Sequence, residues 1–232
     1  MKIDKLIDDS VFTRFSRESY RNILDLVYED VYKQHPSNSF LSNHERCYAR
    51  FSLLIASPLG GCLWPDAFSS ISKIELGDIK HIFNDEPPTN TGGIDIYVPR
   101  KGGKIKLFAL EAVEFALMPL VICCINKHSQ NNRAIWPADN TLLAPIYERT
   151  SKKGKNSDYL QPETIICKYL DEVSEKVCGI SISMEDYLSA GRNIALYQYD
   201  LDVLYYLLGV VNSNSCMDGE IDNSNYSNGL QE

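Results

Sequence analysis

TGGIDIYVPRKGGKIKLFALEAVEF, residues 91–115, is the stretch whose reading decides the fold. GGIDIYV is short and β-branched, RKGG is a turn signal, and KIKLFALEAV can continue as the partner strand. A competing reading takes KLFALEAVEFALM as a helix. Leu, Ala, Glu and Met are good helix formers, Glu111 and Glu114 would then share a helical face, and Pro119 would follow its end.

The hairpin reading makes a definite geometric statement. With a three-residue loop, Lys101–Gly102–Gly103, and Gly103 left-handed, Arg100 faces Lys104 and Asp95 faces Ala109. Glu111 then lies diagonal to Asp95 on one sheet face, at about 7–8 Å between backbones. One face carries Ile105, Leu107, Ala109, Glu111 and Val113, and the other carries Lys106, Phe108, Leu110 and Ala112. Glu111 ends an apolar row, where a carboxylate is costly unless a cation or donors meet it. A two-residue loop would shift the register by one and send the two acids to opposite faces.

Around this stretch the chain reads as α/β: a single domain with a central mixed sheet flanked by helices and an N-terminal helical region. In SRESYRNILDLVYEDVYKQHP the apolar positions Tyr20, Ile23, Leu24, Val27, Val31 and Tyr32 recur at helical spacing, and Pro36 stops the helix. SNHERCYARFSLLIASP opens on Ser42 with Glu45, a capping box, and carries Cys47, Tyr48, Phe51, Leu54 and Ile55 as its stripe. Residues 62–90 fit neither period, and 84–93 is turn-rich. PLVICCINK, 119–127, reads as a buried strand, and 128–160 as a long polar excursion. LQPETIICKYLDEVSEKVCG is a helix with Pro162 in its first turn and Gly179 as its C-cap. Ser183 and Asp186 cap a further helical region that runs through DYLSAGRNIALYQYDLDVLYYLLGVV. The globule is placed at 1–211 and a disordered polar tail at 212–232.

The totals exclude little. The 232 residues are 44% apolar and 23% charged, near the values of ordinary globular proteins. No run reaches the roughly 18 apolar residues of a membrane helix, and MKIDKLIDDS lacks the apolar core of a signal peptide. A cytoplasmic chain with no membrane partner is expected. Seven cysteines, an odd number, mostly in apolar runs, read as reduced thiols. Net charge is −8, which argues against a nucleic-acid coat protein but leaves room for a local basic groove.

Gly92-Gly93-Ile94-Asp95, a hairpin, then Leu110-Glu111-Ala112-Val113 resembles the core of the PD-(D/E)XK nuclease superfamily, which includes many type II restriction endonucleases. The resemblance covers residues 91–115 and implies an αβββαβ core. An acid opens one strand there and Glu-x-Lys lies on the next. It implies Mg²⁺ on Asp95 and Glu111, an activated water and phosphodiester hydrolysis in double-stranded DNA. Val113 stands where the family has its lysine, so an assisting lysine has to come from elsewhere. Arg100, Lys101 and Lys104 beside the turn are the candidates for meeting the phosphate backbone.

A second expectation from another class is an acidic, non-catalytic binding protein, inhibitor or immunity type, that masks a basic partner. The charge of −8 favours it. Of the fourteen tyrosines, Tyr20, Tyr28, Tyr32 and Tyr169 fall on helical stripes and read as core. The rest leave material for an interface, and a homodimer is within expectation. His44 with Cys47 reads as an ordinary helix turn with the histidine exposed and the thiol buried. Gly191-Arg192-Asn193 reads as a helix irregularity.

Overall fold

The computed structural model describes residues 9–13, 15–33, 43–81, 93–100, 103–109, 111–130, 141–142 and 161–198. Helix α1 spans Arg17–Lys33, α2 Asn43–Ile55 and α3 Ala67–Ile71. Strands β1, β2 and β3 span Ile79–His81, Ile94–Arg100 and Gly103–Ala109. Helices α4, α5 and α6 span Glu111–Gln130, Pro162–Cys178 and Met184–Gln198. The chain is α/β and mostly helical. Its described strands form one antiparallel sheet in the order β1-β2-β3.

Local chemistry sets the helix ends. Ser16 Oγ accepts the Ser19 N–H at 3.0 Å and so caps α1. Pro162 opens α5, and Gly179 closes it in the left-handed conformation at φ 71°. Ser183 Oγ accepts the Asp186 N–H at 3.0 Å, which caps α6 as expected. Ser42, Lys101 and the chain beyond Gln198 lie outside the described residues, as do the capping box at Ser42 and the polar tail at 212–232.

Helix α2 is the hub. It packs against α1, α4 and α5. Tyr48, Ala49, Phe51, Leu53 and Leu54 have no solvent exposure, a burial that covers more than one helical face. Tyr187 of α6 donates to the Leu53 carbonyl at 2.8 Å, and the Tyr20 and Tyr187 rings meet with centroids 5.0 Å apart. Gly191 is needed where α6 meets α1. A Cβ there would lie 2.8 Å from the Tyr20 hydroxyl and 3.2 Å from Leu63 Cδ2. Gly191-Arg192-Asn193 therefore sits inside a continuous helix as a close-approach point, with Asn193 fully buried. Tyr28, expected in the core, is exposed, whereas Tyr20 and Tyr169 are fully buried.

Three sequence expectations are corrected. Residues 119–127 are helix, not strand, so the mixed sheet is replaced by antiparallel strands among the described residues. Strand β3 stops at Ala109 and Glu111 opens α4, so the helical reading of 106–118 holds from Glu111 on and the hairpin reading holds for 106–109. Pro119 does not end that helix but lies inside it. The reason is packing: Ala112, Val113, Ala116, Leu117 and Leu120 form a buried helical stripe, and their burial outweighs the hydrogen bond that Pro119 cannot donate. The hairpin connection has two residues, because Arg100 pairs with Gly103 rather than Lys104.

Candidate functional site

The register decides what the hairpin can do. Asp95 pairs with Phe108, Tyr97 with Lys106, and Pro99 with Lys104. On the other side Lys80 of β1 pairs with Asp95. Side chains alternate across a strand, so Lys80, Asp95, Tyr97, Lys104 and Lys106 share one face. Ile94, Ile96, Val98 and Leu107 turn the opposite way, into the core. The expected register had put both β3 lysines on the face opposite Asp95. The shift of one residue brings them to it.

Asp95 is the centre of this face. It is 6% exposed, although three of its neighbours are lysines or tyrosine on the same side. Lys106 Nζ lies 3.1 Å from Asp95 Oδ2, whereas Oδ1 is buried with no hydrogen-bond partner among the described residues. A buried carboxylate oxygen left without a donor is costly and invites a cation. Lys80 Nζ stands 4.8 Å over the Tyr97 ring, a cation–π contact. Lys104 pairs with Asp78, and this bond raises the lysine pKa. Asp78 Oδ2 also accepts the Glu75 N–H at 3.1 Å, which fixes the turn into β1.

Glu111 does not join Asp95 on the sheet. It is exposed in the first turn of α4. Among the described residues there is no group of three His, Cys, Asp or Glu side chains able to hold a metal ion. Arg100 and Lys104 also part company. Arg100 lies on the core-facing row, 5.3 Å over the Trp64 ring, and Lys104 on the opposite face. Lys106 was expected on the opposite face because its side depends on loop length, and RKGG fits a loop of either two or three residues; Lys80 was missed because residues 62–90 fit neither period.

A second ionic cluster ties the helices. Arg46 and Arg50 of α2 are 3% and 7% exposed. Arg46 Nη2 donates to both Glu172 oxygens, at 2.6 Å to Oε2, and Nη1 lies 3.9 Å from Asp30 Oδ2. Arg50 Nη2 lies 3.5 Å from the same Asp30 oxygen, which also accepts the Tyr169 hydroxyl at 2.9 Å. Burial pushes the Tyr169 phenol up, and the Asp30 carboxylate adds to it. Burial works against the Arg50 charge, but Tyr169 and Asp30 together hold its pKa above the usual arginine value. Two guanidinium groups meet two carboxylates, so the cluster is closed in charge and reads as a tie between α1, α2 and α5. His44 and Cys47 are both half-buried. His44 Nε2 lies 3.4 Å from the Leu142 carbonyl, and Cys47 is in no disulfide among the described residues.

No protein-family model matches the chain, no curated protein is significantly similar to it, and no solved structure matches its fold. No helix among the described residues is long and apolar enough to cross a membrane.

Proposed function

We propose that the chain is a Mg²⁺-dependent DNA endonuclease of the PD-(D/E)XK type, with Asp95 as its metal-binding carboxylate and Lys106 as the lysine missing at Val113. The observation that carries this reading is the pairing of the two side chains: Lys106 Nζ 3.1 Å from one Asp95 oxygen, with the other oxygen buried and without a donor among the described residues. The order of helix, three antiparallel strands and helix also agrees with the first five elements that the resemblance implies.

The residues fit a magnesium ion in part. Mg²⁺ keeps several waters and binds through one or two carboxylates plus substrate phosphate. Asp95 Oδ1 would supply one such ligand, and Glu111 stands off the sheet. When bound, the ion would polarise the phosphodiester and lower the pKa of a coordinated water. Lys106 would hold its ammonium beside the reacting phosphate and stabilise the negative charge that develops there.

The test is nicking of supercoiled plasmid with and without Mg²⁺. Asp95→Asn and Lys106→Met should each lower the rate by about 100-fold or more. Glu111→Ala should stay within about threefold, because a side chain that makes no transition-state contact changes little. No nicking by the wild type, or equal rates for Asp95→Asn, would overturn the proposal.

One observation favours the binding reading. Lys104 and Lys106 are each closed onto an aspartate, so two of the sheet's cations are already neutralised in a chain of net charge −8. A protein that masks a basic partner should then form a stoichiometric complex that high salt dissociates. A plasmid that stays intact, together with such a complex, would select this reading.

A further inference from the structure

Lys104 and Lys106, on the outer face of the sheet, are closed onto aspartates: Lys104 onto Asp78 and Lys106 onto Asp95. Lys80, on the same face, behaves differently. Its Cα lies directly across from that of Asp95, the position from which opposite charges normally pair. Its exposed side chain runs instead to the diagonal neighbour, where Nζ stands 4.8 Å over the half-buried Tyr97 ring. Among the described residues Lys80 makes no ion pair, and Asp95 Oδ1 on the adjacent strand has no donor.

An exposed cation–π contact and an exposed ion pair are of similar strength, so the ring decides which neighbour the ammonium takes. We infer that Tyr97 is a positioning residue: its ring holds the Lys80 ammonium off Asp95, so that Oδ1 stays open to a divalent cation. The inference rests on the metal-binding carboxylate proposed above and adds the residue that keeps it from closing on a second lysine. Asp95 has two oxygens to offer, and Lys106 already takes one. With Lys80 on the other, the carboxylate would be fully neutralised, and a metal ion would first have to displace an ammonium. The ring acts through its π face rather than its hydroxyl, so phenylalanine should serve as well as tyrosine.

Binding of Mn²⁺ to the full chain without DNA, followed by the paramagnetic resonance of the free ion, tests this apart from cleavage. Mn²⁺ suits the same oxygen ligands as Mg²⁺. Tyr97→Leu should weaken binding about two- to fivefold, the worth of one exposed cation–π contact. Tyr97→Phe should match the wild type. Lys80→Met removes the competing ammonium, so Tyr97→Leu on the Lys80→Met background should cost nothing. A merely structural loss at Tyr97 would not be coupled to Lys80 in this way. In the metal-free chain the Lys80 ε-methylene protons should show an upfield ring-current shift that Tyr97→Leu abolishes and Tyr97→Phe keeps. Equal Mn²⁺ affinity of wild type and Tyr97→Leu, the same cost of Tyr97→Leu with and without Lys80, or unshifted ε-methylene protons would each overturn the inference and leave the Asp95 site standing. No Mn²⁺ binding by the wild type, or binding unchanged in Asp95→Asn, would remove the site itself and the inference with it.

Discussion

Replacing Asp30 with alanine should be the most damaging single change outside the apolar core. Asp30 Oδ2 accepts the Tyr169 hydroxyl at 2.9 Å, stands 3.5 Å from Arg50 Nη2 and lies 3.9 Å from Arg46 Nη1. Arg46 keeps Glu172 after the change, whereas Arg50 loses the carboxylate nearest its head group and remains 7% exposed. Breaking a buried pair from one side costs about 3–5 kcal/mol, because the surviving charge is left without compensation. Asp30 has 15% of its side chain open to water, which places the expectation near the lower end, about 3 kcal/mol. Glu172 provides the internal control. It binds the same Arg46 but is 45% exposed, so Glu172→Gln should cost no more than about 1 kcal/mol. The assay is urea unfolding followed by far-UV circular dichroism, with slopes compared so that midpoints convert to free energies. If Asp30→Ala and Glu172→Gln destabilise equally, or if Asp30→Ala costs under about 1 kcal/mol, burial does not govern this cluster and the reasoning fails.

Other outcomes follow from the same physics. Gly191→Ala should destabilise by about 1–3 kcal/mol through overpacking against Tyr20, and Tyr20→Phe should recover part of that loss by removing the hydroxyl. Equal costs with and without the Tyr20 hydroxyl would exclude the contact. Burial pushes the phenols of Tyr20, Tyr187 and Tyr169 above the ordinary tyrosine value. The folded chain then keeps protons that the unfolded chain releases near pH 10, so this stability is whole below about pH 10 and lost above it. Urea midpoints should fall between about pH 9 and pH 11 as tyrosinate absorbance rises with unfolding, and a constant midpoint would contradict it. The plasmid-nicking comparison of Asp95→Asn and Lys106→Met tests the proposed function.

What could be read from the residues was whatever one helix face or one cap fixes locally. The stripe at Ile165, Ile166, Tyr169, Leu170 and Val173, with Pro162 before it and Gly179 after it, specified α5 nearly to the residue. Helices α1 and α2 were legible for the same reason. Helix α4 was not, because its apolar run through 115–125 blurs the 3.6-residue period and leaves the Val/Ile-rich stretch at 121–125 looking like a strand. The site failed at a finer scale. Which glycine of RKGG enters the turn changes no composition and no pattern, yet it exchanges the face of every side chain beyond it. Asp95 was legible as an acid in a strand. Its partner was not: that single step brings Lys106 to the Asp95 face, while Glu111 leaves the sheet because β3 ends at Ala109 and a helix begins.

The tie through Asp30, Arg46, Arg50, Tyr169 and Glu172 has a consequence for how the protein is made. Tyr169 follows Asp30 by 139 positions, and Glu172 follows Arg46 by 126. At roughly 5–20 residues per second, a ribosome needs about 7–28 s to deliver the second member of the first pair. Through that interval α1 and α2 emerge with two arginines that lack part of their countercharge and an apolar surface meant for α5. Helices α1 and α2 are thus a nascent species that stays open until α5 has been made, and this is where a holding chaperone would matter most.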